Sequence, residues 1–167
     1  MNKVAFWNRC RHDRRFFWEK CVRIRSQLED GSFAAIPFIP NPEQDIVIRW
    51  LEDQEADKQP IRFIILKARQ LGMTTLAMAL WFHMCTFRDL VRCQVIGHRK
   101  EDTRKISQIP ILMNEELPRP IRSRCKAKNV GMGLFWKNRS WLECTTQGAE
   151  EGGRGDAPTA VHATELS

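Results

Sequence analysis

The sequence predicts an α/β domain with a mainly parallel sheet flanked by helices, preceded by an N-terminal helical segment. Three observations lead there. A β-branched run, "IRFIILKA" at 61–68, passes through a glycine turn into the long apolar stretch "MTTLAMALWFHMCTF". A second strand-like run, "RCQVIGH", opens directly into a charged helical segment. A Gly-rich loop, "QGAEEGGRGDAP", then leads to a last strand-like run, "TAVHATEL". Strands alternating with helices imply crossover connections, hence a parallel sheet covered on both faces with its ligands at the carboxyl ends of the strands.

Taken in order, residues 2–29 read as one amphipathic helix, with Phe6, Phe17, Cys21, Ile24 and Leu28 on its apolar face. Gly31, Pro37, Pro40 and Pro42 then oppose regular structure over 30–42. "NPEQDIVIRWLEDQ" resumes a helix started by Asn41 or Pro42. The run at 61–68, bounded by Pro60 and Gly72, reads as a buried parallel strand. The segment from "RKEDTRKIS" to "NEEL" is a helix interrupted at Pro110, and "GMGLFWK" and "SWLECTT" form a hairpin around "NRS". Residues 1–40 thus form a basic helical segment with a Pro-rich linker, and 41–167 form the main domain.

The chain has 167 residues, enough for one domain with a core of its own. Its net charge of +7 and pI near 9.4 suit a polyanionic partner. The charge is unevenly placed: 119–139 holds seven basic residues and no acid, and "RCRHDRRFFWEKCVRIR" is a second basic cluster with aromatics between the charges. Each suits a phosphate backbone, and a solvated basic surface is the alternative, which fits the N-terminal cluster equally. Six scattered cysteines without a C-x-x-C pair argue against a sulfur-ligated metal and for reduced thiols in a cytoplasm. Arg9 to Arg15 occupies the place of a signal peptide's apolar region, and no apolar run is long enough to span a bilayer.

The loop 67–74 resembles a phosphate loop with its lysine displaced. In the pattern G-x-x-x-x-G-K-[ST] the lysine follows the second glycine. Here that slot is Met73, and Lys67 stands where the first glycine would be. Gly72 lets the backbone approach a ligand, and Thr74 and Thr75 bring hydroxyls to the start of a helix, whose unpaired N–H groups attract phosphate. Thr74 is in register with the Mg²⁺ ligand of such a loop. Lys67 can reach back to the β- and γ-phosphates of ATP, and Arg69 can offer a planar fork to the same oxygens. An ordinary strand-to-helix turn with solvated cations accounts for the same letters. A nucleotide hydrolase further needs an acid near Mg²⁺ and a base that orients water, on another strand. At the end of "TAVHATE", Glu165 has the place of the base, and Thr164 replaces the usual aspartate, so Mg²⁺ would be held less firmly.

Taken together, "LKARQLGMTT" and "GGRGDAPTAVHATE" resemble the ATPase domain of the large terminase subunit, the DNA-packaging motor of tailed bacteriophages. The resemblance rests on K-x-R-Q-x-G-x-T-T, on "CQVIGH" opening a charged helix, and on R-G-x-x-x-[TS] leading to a strand ending in [ST]-E; it spans residues 42–165. It implies a P-loop NTPase fold of the ASCE/RecA-like kind and an ATPase using Mg²⁺. Lys67 would be the functional lysine, Arg69 the γ-phosphate sensor, Gln70, Gly72 and Thr75 parts of the nucleotide cradle, Thr74 and Thr164 the Mg²⁺ contacts, and Glu165 the base. Gln44 would read adenine, and Arg154 would reach a phosphate or a neighbouring subunit. The implied partners are double-stranded DNA, the small terminase subunit, the portal of a procapsid, and further copies of the chain, in a bacterial host's cytoplasm. The sequence ends shortly after Glu165 without a nuclease carboxylate cluster, which reads as an ATPase part alone, weakly active by itself, with "TAVHATEL" as an exposed edge. The alternatives are a basic nucleic-acid-binding module without nucleotide chemistry, using 119–139, and a helicase-type ATPase, against which Met73 and the [ST]-E ending argue.

Overall fold

The computed structural model describes residues 2–58, 60–65, 71–148 and 157–164. The predicted N-terminal helix is two: α1 (Lys3–His12) and α2 (Arg14–Cys21). Asp13 divides them, with an extended backbone and a side chain that accepts from the Phe16 N–H as an N-cap. The chain then turns into β1 (Arg23–Gln27), which pairs antiparallel with β2 (Phe33–Pro37) across the turn at Gly31. The first strand replaces the last part of the helix predicted over 2–29, and the second stands where the prolines and glycine suggested irregular chain, because Pro37 falls at the end of a strand, where its missing N–H costs no ladder bond.

Helix α3 (Pro42–Ala56) begins as predicted. Asn41 caps it, Pro42 opens it, and Gln44 completes a capping box with Asn41. Helix α4 (Met73–Phe87) is the centre of the molecule. Phe17 stacks on its Phe82, and Trp18 donates its indole N–H to the Ala79 carbonyl at 3.1 Å. On its other side lie β3 (Arg92–Gly97), β6 (Trp141–Thr146) and β7 (Ala160–Ala163). Helix α5 (Lys100–Glu115) continues through Pro110 instead of stopping there. After α6 (Arg119–Cys125) come the short strands β4 (Lys128–Val130) and β5 (Gly133–Phe135).

The main sheet runs β4-β5-β6-β3-β7. Its β6-β3 and β3-β7 pairings are parallel, and its β4-β5 and β5-β6 pairings are antiparallel. This mixed sheet corrects the predicted fold class: the molecule is α/β, but its sheet is not the mainly parallel sheet of a P-loop NTPase. The run expected to lead that sheet is the other correction. Residues 61–65 form no strand; Ile64 is 90% exposed, and Phe63 leans on Trp50 of α3. Residues 66–68 of the run lie outside the described residues. The β5–β6 hairpin is where the sequence predicted it.

A single apolar cluster joins α1, α2, α3, α4, α5, α6 and the main sheet, with Phe17, Trp18, Phe82, Val95 and Trp136 among its buried members. All six cysteines are free and buried. Among the described residues no helix is long and apolar enough to cross a membrane.

Candidate functional site at the amino end of α4

Helix α4 runs against the direction of the strands beneath it. Its Cys85 thiol lies near the Trp141 carbonyl at the start of β6 and near Cys93 at the start of β3. One turn earlier, Trp81 meets His162, which stands opposite Val95 in mid-strand. A helical turn of about 5.4 Å matches less than two strand residues. Continuing in that direction brings the amino end of α4 level with the carboxyl ends of β3, β6 and β7, where ligands of an α/β sheet collect.

The chain enters α4 through Gly72, which has φ +67 and no side chain to cap the helix. A Cβ at this position would lie 2.8 Å from Gln44 Nε2. Gln44 itself is 3% exposed and fully engaged: Oε1 accepts from the Asn41 N–H at 3.0 Å, and Nε2 donates to the Gly72 carbonyl at 2.8 Å. Asn41 adds a bond from Nδ2 to the Leu71 carbonyl at 3.3 Å. The start of α3 thus clamps the turn that starts α4, and Gln44, the glutamine expected to read adenine, holds backbone on both sides of that contact.

Thr74 and Thr75 lie half-buried in the first turn of α4. Thr164, just past β7, donates both its N–H (2.9 Å) and its hydroxyl (3.4 Å) toward the Ile96 carbonyl of β3. Lys67, Arg69, Gln70, Arg154 and Glu165 lie outside the described residues. At the end of β3, Gly97 admits α5 closely, since a Cβ there would meet Thr103 Oγ1 at 2.4 Å. Thr146 of β6 donates its hydroxyl to Thr103 Oγ1, and His98 Nδ1 lies 3.3 Å from Gln147 Oε1. Thr103 and Thr146 were not singled out by sequence, because their short polar side chains carry no pattern until the sheet gathers them. Among the described residues no cluster of His, Cys, Asp and Glu could hold a metal ion. Hydroxyls such as that of Thr74 supply no charge, so a Mg²⁺ ion here would depend on the phosphates it accompanies.

No protein-family model matches the chain, and no curated protein matches it.

Proposed function

We propose that the chain binds Mg²⁺-ATP at the amino end of α4 and serves as the ATPase part of a motor of the large-terminase type. One observation supports the site above others: a 15-residue helix, uncapped by any side chain and entered through a left-handed glycine, begins level with the carboxyl ends of parallel strands. Its N–H groups and dipole suit a phosphate group. In this reading Lys67 and Arg69 supply the cations, and Gln70, Gly72 and Thr75 form the cradle. Thr74 and Thr164 face Mg²⁺ or its water shell, and Glu165 orients the attacking water. Gln44 positions the turn. The motor would act on double-stranded DNA in a bacterial host's cytoplasm, with a small terminase subunit, a portal and neighbouring copies as partners.

Titration calorimetry of Mg²⁺-ATP into the wild-type chain and into Lys67→Ala tests the reading. The expected outcome is binding by the wild type and at least about a tenfold loss in the variant, since each tenfold corresponds to about 1.4 kcal/mol of charge-assisted contact. Equal affinity in both would remove the displaced lysine from the account. A second reading, nucleic-acid binding without nucleotide chemistry, draws on the basic surface at the carboxyl end of α4 and predicts salt-sensitive binding that ignores Mg²⁺-ATP.

A further inference from the structure

At the other end of α4 lies a cleft of about 510 Å³, with Trp7, Arg11, Arg88, Arg124, Trp136 and Lys137 in its lining. The two basic clusters that the sequence keeps far apart meet here: Arg11 comes from α1, Arg124 and Lys137 from 119–139, and Arg88 from the end of α4. Elsewhere in the N-terminal cluster the cations are engaged within the protein. Arg9 pairs with Asp13 at 3.6 Å, Arg15 with Asp45 at 2.6 Å, and Arg14 with Glu55. None of the four cleft cations forms an ion pair among the described residues, and Asp89 is the one acid in the lining.

The helix end that would repel an anion is covered. Asn138 Nδ2 donates to the Cys85 and Arg88 carbonyls at 2.9 and 2.8 Å, Ser140 Oγ to Arg88 at 2.7 Å, and the Cys125 thiol to Thr86 at 3.4 Å. These donors take up carbonyls that carry the partial negative charge of a helix C-terminus. Two indoles complete the lining. Trp7 is half-buried with the Arg124 guanidinium 5.3 Å above its ring, and Trp136 is 1% exposed, its buried N–H without an acceptor among the described residues.

We propose that this cleft binds single-stranded nucleic acid, resting one base on the half-exposed Trp7 while neighbouring phosphates rest on Arg11, Arg88, Arg124 and Lys137. Unpaired cations around an aromatic-lined cleft are what a strand with exposed bases and a charged backbone fits. A base held inside a duplex stack cannot enter such a cleft, so duplex DNA would reach only the rim. The site is separate from the nucleotide turn, and its binding requires no ATP.

The test is fluorescence anisotropy of a labelled twelve-residue oligo-dT with the full chain, across a range of salt and without nucleotide. Three to four phosphate contacts predict a slope of log affinity against log salt of about −2 to −3. The double variant Arg124→Gln/Lys137→Gln should flatten that slope by about 1.4 and weaken binding about 25-fold at 0.1 M salt. Arg25→Gln, whose guanidinium covers Phe33 away from the cleft, should change affinity less than about twofold. Wild-type affinity in the double variant, with its circular dichroism intact, would overturn the proposal. So would the absence of oligo-dT binding, or a loss of duplex binding in the double variant as large as its loss of oligo-dT binding.

Discussion

Gly72 carries more of the candidate site than any other described residue. Its positive φ starts α4, and its missing Cβ leaves room for the Gln44 amide that holds the turn. Alanine at this position would incur the left-handed penalty of about 1–2 kcal/mol and push on Gln44 Nε2 as well. We therefore expect Gly72→Ala to lose at least that much stability in urea unfolding. In calorimetry it should also weaken Mg²⁺-ATP, by disturbing the backbone that would face the phosphates. Unchanged unfolding would mean that the turn relaxes freely and that the clamp from α3 does not fix it.

The secondary structure elements differ in how legible they were. Helices α3 and α4 could be read because their starts are written in local chemistry: Asn41, Pro42 and Gln44 for the first, Gly72 for the second. The β5–β6 hairpin and β3 followed from alternation and β-branched residues. The run at 61–68 misled because a short apolar stretch looks the same whether or not a sheet receives it, and Ile61, Ile64 and Ile65 remain exposed. The N-terminal helix was read as one because Asp13 can be an interior residue or a cap, and it was carried too far because Ile24 and Leu28 keep the helical spacing although 23–27 pair as a strand. Of the site, Gly72, Thr74 and Gln44 were legible as positions; the clamp of Gln44 onto Gly72 was not, since it joins segments 28 residues apart. Tertiary polar links of this kind are invisible to local pattern. Asn114 of α5 is another: buried, it accepts from the Ala127 N–H at 2.9 Å and donates to the Ala127 carbonyl at 3.1 Å, tying α5 to the chain just before β4. Asn114→Ala leaves both backbone groups unpaired and should cost about 1–3 kcal/mol in chemical denaturation.

Across the whole molecule, α1 is fastened to α4 through a titratable group. His83 Nε2 lies 2.9 Å from the Cys10 carbonyl and donates to it, while burial lowers the imidazole pKa to about 4 from an ordinary value near 6.5. Arg14 and Arg88 push the same way, and Asp13 opposes them. A base with a depressed folded pKa leaves stability complete above about pH 6.5 and erodes it as the pH falls toward 4, by up to about 3 kcal/mol at 1.36 kcal/mol per unit. Thermal melting between pH 7.5 and 4 should show this loss, and His83→Gln, which can keep a donor to Cys10, should flatten it. The same slope in the variant would assign acid sensitivity to other groups. The sheet topology bears on how the chain reaches this state. Strand β3 has no neighbour close in sequence: Arg92 faces Trp141 on one side, and Cys93 faces Ala160 on the other. The β1–β2 and β4–β5–β6 antiparallel units can close through short turns, but the centre of the sheet must wait for remote segments whose loop-closure entropy is lost before any contact rewards it. We therefore expect the search for β3's partners to limit folding, so that its rate depends less on the strength of any one contact than on the path the backbone takes between them.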